Sequence, residues 1–252
     1  STIAFDFTSN RIVAGGGSGQ TKVWDINSSG QLQNSKNLFR FESEVRVLEV
    51  SQKHPFFLGA SSKGTIAWQA FGDSKSQPRT LQEFKKNIQS VWIPSNGIEA
   101  QATDGSKLIR FSLRDGEIVQ SVELATRNPK FAAFSSDGNL VAVVNSDTLV
   151  MIDRSGAGTT RSVKLPKRES PYSLELHPLG NFILVGMRTK VAIFDSVSLE
   201  LLAYAPTQSR QAQSNLTFSV DGKMFASSAN TAQDSIHIFE IENSSYSVKS
   251  NP

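Results

Sequence analysis

Leu174-Glu175-Leu176-His177-Pro178-Leu179-Gly180-Asn181, followed by Val191-Ala192-Ile193-Phe194-Asp195, is the stretch whose reading decides the fold. A short apolar strand runs into a turn, and a second apolar strand closes the segment on an aromatic residue. The opening recurs as Ala4-Phe5-Asp6-Phe7, Leu48-Glu49-Val50, Val91-Trp92-Ile93, Ala133-Phe134 and Leu216-Thr217-Phe218. Turns follow at Ser95-Asn96-Gly97, Ser136-Asp137-Gly138-Asn139 and Val220-Asp221-Gly222-Lys223. Asn-Gly and Asp-Gly suit tight hairpins because their central positions often take positive φ. The closing strand recurs as Lys22-Val23-Trp24-Asp25, Ile66-Ala67-Trp68-Gln69, Leu108-Ile109-Arg110-Phe111-Ser112, Val150-Met151-Ile152-Asp153 and Ile236-His237-Ile238-Phe239-Glu240. Positions 24, 68, 111, 152, 194 and 239 lie about 43 residues apart on average.

A period of roughly 40–45 residues with strand-turn-strand units is that of WD40 blades. Val23-Trp24-Asp25 resembles the signature that names the WD40 repeat, and Phe194-Asp195 and Phe239-Glu240 resemble its common variants. Phe134-Ser135-Ser136-Asp137-Gly138-Asn139 and Leu176-His177-Pro178-Leu179-Gly180-Asn181 resemble the family's first hairpin. The resemblance covers essentially the whole chain and implies an all-β, WD40-like β-propeller. It is read as a single domain over residues 1–252, with repeats at about 1–42, 43–84, 85–125, 126–167, 168–209 and 210–252. Six repeats are visible. They fit a six-bladed ring or the larger part of a seven-bladed one, the second being slightly favoured; an unclosed ring would leave a naked blade face and unpaired edges. The chain begins at Ser1 rather than Met, which fits a processed or excised segment.

The repeats are degenerate. No Gly-His dipeptide occurs, so the family's Asp-His-Ser-Trp hydrogen-bond network is absent from every blade. Each missing bond forgoes on the order of 1 kcal/mol, which leaves apolar packing between blades as the expected main source of stability. Asn27 to Asn37 and Gln69 to Pro78 are polar and read as connections to the outer strands. Thr80 to Ser90 reads as an outer strand and the next entry loop. Tyr246-Ser247-Val248-Lys249 reads as the last outer strand.

Composition narrows the function. With 38% hydrophobic and 19% charged residues the chain is globular. A net charge of +3 lacks the strong positive footprint of a dedicated nucleic-acid binder. The absence of cysteine excludes disulfides, thiolate zinc sites and a Cys nucleophile, and fits a cytoplasmic or nuclear location. No apolar run reaches membrane-spanning length. No cofactor or small-molecule substrate is expected.

Several motifs look chemical. Gly15-Gly16-Gly17-Ser18-Gly19-Gln20-Thr21-Lys22 is glycine-rich, but a phosphate-binding loop needs Gly-Lys followed by Ser or Thr and then a helix. It reads as a turn between the second and third strands of a blade. His54, His177 and His237 fall in three different repeats and read as structural or solvated. Asp6, Glu49 and Glu175 share one register on inner strands, and by period-2 alternation they fit one face. A polar channel position is the plain reading; a calcium-binding or catalytic carboxylate ring is the sharper one. Asn27, Asn215 and Asn243 begin glycosylation sequons read as chance matches.

The resemblance implies that partners dock on the rim where each inner strand begins, and on the turn between second and third strands. Counting back from the inner-strand anchors gives Ile3, Arg46, Gln89, Lys130, Tyr172 and Ser214; Thr103, Met187 and Arg188 lie on the second set. Arg46, Lys130, Tyr172 and Arg188 are the candidate binding residues, because Arg and Tyr often dominate interface energy. Among the basic clusters (Lys85-Lys86, Arg110 with Arg114, Lys164 with Lys167-Arg168, Arg188 with Lys190), Lys164, Lys167 and Arg168 form the candidate contact with RNA phosphate or an acidic partner. The leading function is therefore a non-catalytic scaffold for protein-protein interactions in a multi-subunit assembly. An RNA- or ribonucleoprotein-associated propeller, and a propeller enzyme or metal-binding propeller using the channel carboxylates, are the alternatives.

Overall fold

The computed structural model describes residues 2–6, 10–51, 56–70, 77–82, 84–85, 87–93, 97–124, 126, 128–155, 159–207, 211–229, 236–241 and 248–251. Among them are six four-stranded antiparallel sheets, each built from four strands consecutive in sequence. Blade 1 holds β1 (Thr2–Asp6), β2 (Arg11–Gly15), β3 (Gln20–Ile26) and β4 (Leu32–Arg40). Blade 2 holds β5 (Val45–Val50), β6 (Phe56–Ser61), β7 (Thr65–Ala70) and β8 (Arg79–Gln82). Blade 3 holds β9 (Ser90–Trp92), β10 (Glu99–Thr103), β11 (Lys107–Ser112) and β12 (Ile118–Glu123). Blade 4 holds β13 (Phe131–Phe134), β14 (Leu140–Val144), β15 (Thr148–Asp153) and β16 (Thr159–Lys164). Blade 5 holds β17 (Ser173–Leu176), β18 (Phe182–Gly186), β19 (Lys190–Asp195) and β20 (Leu201–Pro206). Blade 6 holds β21 (Gln213–Phe218), β22 (Met224–Ala229), β23 (His237–Ile241) and β24 (Val248–Asn251). The chain forms two compact units, Ser1–Leu124 with blades 1 to 3 and Ala125–Pro252 with blades 4 to 6.

The core of each unit lies between successive blades. Side chains alternate across a strand, so a blade with neighbours on both sides must be apolar on both faces. Blade 2 shows this directly. Phe57 and Ala67 join Val13, Val23 and Phe41 on the blade 1 side, while Leu58, Ile66 and Trp68 join Val91, Ile109 and Phe111 on the blade 3 side. Blade 5 does the same in the second unit: Ile183, Val185 and Phe194 pack with Ala142, Leu149 and Met151 of blade 4, and Leu184, Val191 and Ile193 pack with Phe225 and Phe239 of blade 6. The outer strands see water on their edge. β4 is exposed over most of its length and β12 nearly throughout.

That exposure corrects one expectation. The polar stretch 27–37 is half strand: β4 begins at Leu32 and pairs with β3 through two register shifts. An outer strand needs no apolar face, so its polarity hid it. His54, Lys86, Asn96, Asn243 and Tyr246 lie outside the described residues.

The glycine-rich stretch runs from the end of β2 into the turn to β3, and Gly15, Gly16 and Gly19 serve packing between blades 1 and 2. The Gly16 carbonyl accepts from the amides of Gly19 (3.0 Å) and Val45 (3.1 Å), and Gly19 O accepts from Phe41 N–H at 2.9 Å. Gly19 sits at φ +78°, and a Cβ there would collide with the Phe41 carbonyl oxygen, whereas a Cβ on Gly17 would meet open space. Gly19→Ala is expected to lower the stability measured by urea unfolding by about 2 kcal/mol or more, combining left-handed strain with the clash. Gly17→Ala should change it by no more than about 0.5 kcal/mol.

Candidate partner-binding rim

At one end of each blade the chain enters the first strand, beside the turn joining the second strand to the third. In blades 3, 4 and 5 the same bond fixes this arrangement. Gln89 N–H donates to Thr103 O (2.9 Å), Lys130 N–H to Val144 O (2.8 Å) and Tyr172 N–H to Gly186 O (2.8 Å). Each entry residue is thereby pinned at the start of a tight turn. Side chains close two of these turns. Asp104 Oδ1 accepts from the amides of Ser106 (2.8 Å) and Lys107 (2.7 Å), and Asn145 Oδ1 accepts from those of Asp147 (3.0 Å) and Thr148 (2.7 Å). The blade 5 turn, which carries Arg188, is closed by Met187 N–H donating to Lys190 O at 2.9 Å.

Lys130 and Arg188 are exposed and Tyr172 is half-buried. No carboxylate among the described residues forms an ion pair with Lys130 or Arg188. Lys190 differs from its neighbour Arg188. Its ammonium is 2.9 Å from Glu169 Oε1 and 3.9 Å from the centre of the Tyr204 ring, and the Glu169 carboxylate raises its pKa.

In the first unit, Arg46 is presented at the equivalent end of blade 2 by another route. It lies inside β5 as the extra residue between Val45, which pairs with Ser61, and Val47, which pairs with Ala60. Such a bulge re-aims a side chain, and Arg46 is exposed with its guanidinium 3.3 Å from Glu44. Ser214 is the matching extra residue in β21, between Gln213 and Asn215. Ile3 is likewise within a strand and is 69% exposed.

The basic segment divides. Lys164 is the last residue of β16 rather than part of a connection. Its ammonium donates to Asp147 Oδ2 (2.7 Å) and Thr148 Oγ1 (3.0 Å), and this hydrogen bond holds the Asp147 carboxyl below its ordinary pKa. Lys167 and Arg168 are exposed in the following turn, with Arg168 in the left-handed region at φ 66°.

The inner-strand acids occupy unlike environments. Asp6 is fully buried, while Glu49 and Glu175 are half-buried. Desolvation pushes the Glu49 carboxyl up to about 7. Among the described residues no three His, Cys, Asp or Glu side chains come together in a way that would hold a metal ion, and no helix is long and apolar enough to cross a membrane.

His177 is a buried structural group. Its Nδ1 accepts from Leu179 N–H at 3.1 Å, which leaves Nε2 to donate to Gly222 O at 3.2 Å in the next blade. The rings of Phe182 and Phe218 meet it edge-on at 5.4 and 5.0 Å. Sequence reasoning had no signal for other polar ties. Glu42, in the entry to blade 2, accepts from Ser61 Oγ (2.7 Å) and Thr65 Oγ1 (3.0 Å). Gln213 Oε1 accepts from Ser227 Oγ at 3.0 Å, and its carbonyl accepts from Ser173 Oγ at 2.5 Å.

Among solved structures the chain is similar to a β-propeller. The β-propeller domain of Cps50 (Swd1) from Myceliophteria thermophila matches with a TM-score of 0.77 at 14% identity, covering 96% of this chain and 83% of that one. The likeness shows the fold: this chain is a β-propeller. No family model matches it, and no curated protein does.

Two groups give stability opposite pH dependences. Burial lowers the His177 pKa from 6.5, so the unfolded chain takes up a proton that the folded chain refuses. Stability held above about pH 6.5 falls as pH drops below it, and His177→Gln should remove that slope in unfolding titrations. Folded Glu49 keeps its proton up to about 7 where the unfolded value is 4.5, so stability is lost as pH rises through that window. Glu49→Gln should raise stability by about 1–3 kcal/mol at pH 8, and change it little at pH 4.

Proposed function

We propose that this chain is a non-catalytic scaffold that docks other proteins on its rim within a multi-subunit assembly. One observation carries the reading: Lys130, Tyr172 and Arg188 stand at the same end of consecutive blades, backed by a repeated main-chain bond. Their surroundings leave the two cations without an ion pair among the described residues. Binding residues presented from a rigid scaffold lose little entropy on docking. Arg and Tyr gain most when a partner excludes water from them. In the first unit, Arg46 in its bulge is an exposed cation at the equivalent end of blade 2, and its pairing with Glu44 costs little to exchange. Lys164 is paired in the same exposed way, with Asp147, so its ion pair does not set it apart from Arg46.

The test is a crosslinking pull-down from source-cell extract. It compares the chain with an Arg46→Glu/Tyr172→Ala/Arg188→Glu variant of matched thermal stability. The expected outcome is a set of proteins lost with the variant, and a drop of roughly tenfold or more in affinity for each when purified. A protein set that survives the triple change overturns the rim reading. RNA retained by the chain and lost on Lys167→Glu/Arg168→Glu would shift the function to ribonucleoprotein binding.

A further inference from the structure

A second surface lies at the opposite strand ends of the first unit. There Phe56 at the start of β6, Trp68 and Ala70 near the end of β7, and Ile98 and Leu113 of blade 3 line a cavity of about 480 Å3. We propose that this groove is a docking site for a peptide segment of another protein that presents a large apolar side chain flanked by carboxylates.

The floor is built to stay apolar. Trp68 Nε1–H donates across the blade boundary to Leu113 O at 2.8 Å, so the indole has no donor left for a ligand. Its ring packs 5.4 Å from Phe111. Gly116, at φ +84°, lies so close over the indole that a Cβ would stand 3.2 Å from it, which fixes the ring against blade 3. Ile98 stands at the lip, 63% exposed. The volume suits a side chain such as leucine or phenylalanine with its neighbouring backbone.

The rim of the groove supplies the charge. Arg79 and Arg114 both line it and are exposed, and no carboxylate stands among its described lining residues. Arg110, within β11, has its guanidinium 3.1 Å from Glu99 and is not part of the lining. Two cations beside an apolar slot complement an acidic-apolar segment. Single-stranded RNA fits less well, because it needs aromatic faces open for base stacking, and Trp68 is 5% exposed. The site is separate from the rim: its lining comes from the end of β7, the starts of β6 and β8, and the segments just before β10 and just after β11, whereas the rim uses the turns before β7 and β11.

A random-peptide display library panned on the intact chain, with counter-panning on the Arg79→Glu/Arg114→Glu chain, tests the proposal. Enriched peptides should carry a large aliphatic or aromatic residue with Asp or Glu beside it. Their affinity should fall roughly tenfold or more in the double variant and in Ile98→Asp, and should weaken as salt rises. All three residues are exposed, so matched melting curves are expected. Arg46→Glu/Arg188→Glu should leave this binding unchanged, which separates the groove from the rim. Enrichment of neutral or basic peptides, or binding that survives the charge reversal, overturns the proposal. So does binding of a labelled oligouridine that disappears in the double variant while no acidic peptide is selected.

Discussion

A sheet with another sheet on each side has no face left for water. That constraint governs blades 2 and 5, the middle blade of each unit. In β6, Phe57 and Leu58 point to opposite neighbours, and in β18, Leu184 opposes Ile183 and Val185. Burying a Phe, Leu or Ile side chain contributes about 1.5–3 kcal/mol, so each inter-blade cluster outweighs any hydrogen bond in the chain. A polar residue on either face of these strands would have to find a partner or be destabilising. The second and third strands therefore hold the strictest sequence, and the outer strands the loosest.

Polar groups work at the margins of those clusters. Trp68 ties blade 2 to blade 3, His177 ties blade 5 to blade 6, and Ser173 spans the same boundary near the other end. Glu42 and Gln213 hold the entry segments of blades 2 and 6. The blade 2–3 and blade 5–6 boundaries are thus tied by unlike polar groups. Trp68, His177 and Ser173 set one blade against the next, while the apolar clusters supply most of the free energy.

The parts of this fold that face two neighbours were legible in the sequence, because apolar periodicity records burial. The six openings and closers fall on the first and third strands, and Asp137-Gly138 and Asp221-Gly222 sit in turns with glycine at positive φ. The β4 strand was hidden by its polarity. Leu199 adopts φ 60° in a turn where the equivalent positions are Gly30 and Gly116, and its side chain is buried in the core between blades 4 and 5. Nothing local announces that exchange. Of the rim residues, Lys130 and Tyr172 were placed by counting, since their blades keep the repeat spacing. Counting gave Arg46 as well, but the bulge that holds it between Val45 and Val47 is encoded by no periodicity. The groove was illegible because Trp68 and Leu113 meet across a blade boundary.

Each sheet is a meander of four strands consecutive in sequence, so its pairings close short loops. Loop-closure entropy is small at such separations, and local topology favours fast folding among all-β chains. Hairpins can form within a blade before the next blade has left the ribosome. What a lone blade cannot do is cover its apolar faces. Synthesis therefore passes through stages in which the newest blade presents Phe, Leu and Val to solvent until its successor arrives. The pace of translation across about 43 residues sets how long that surface stays open to chaperones or to aggregation.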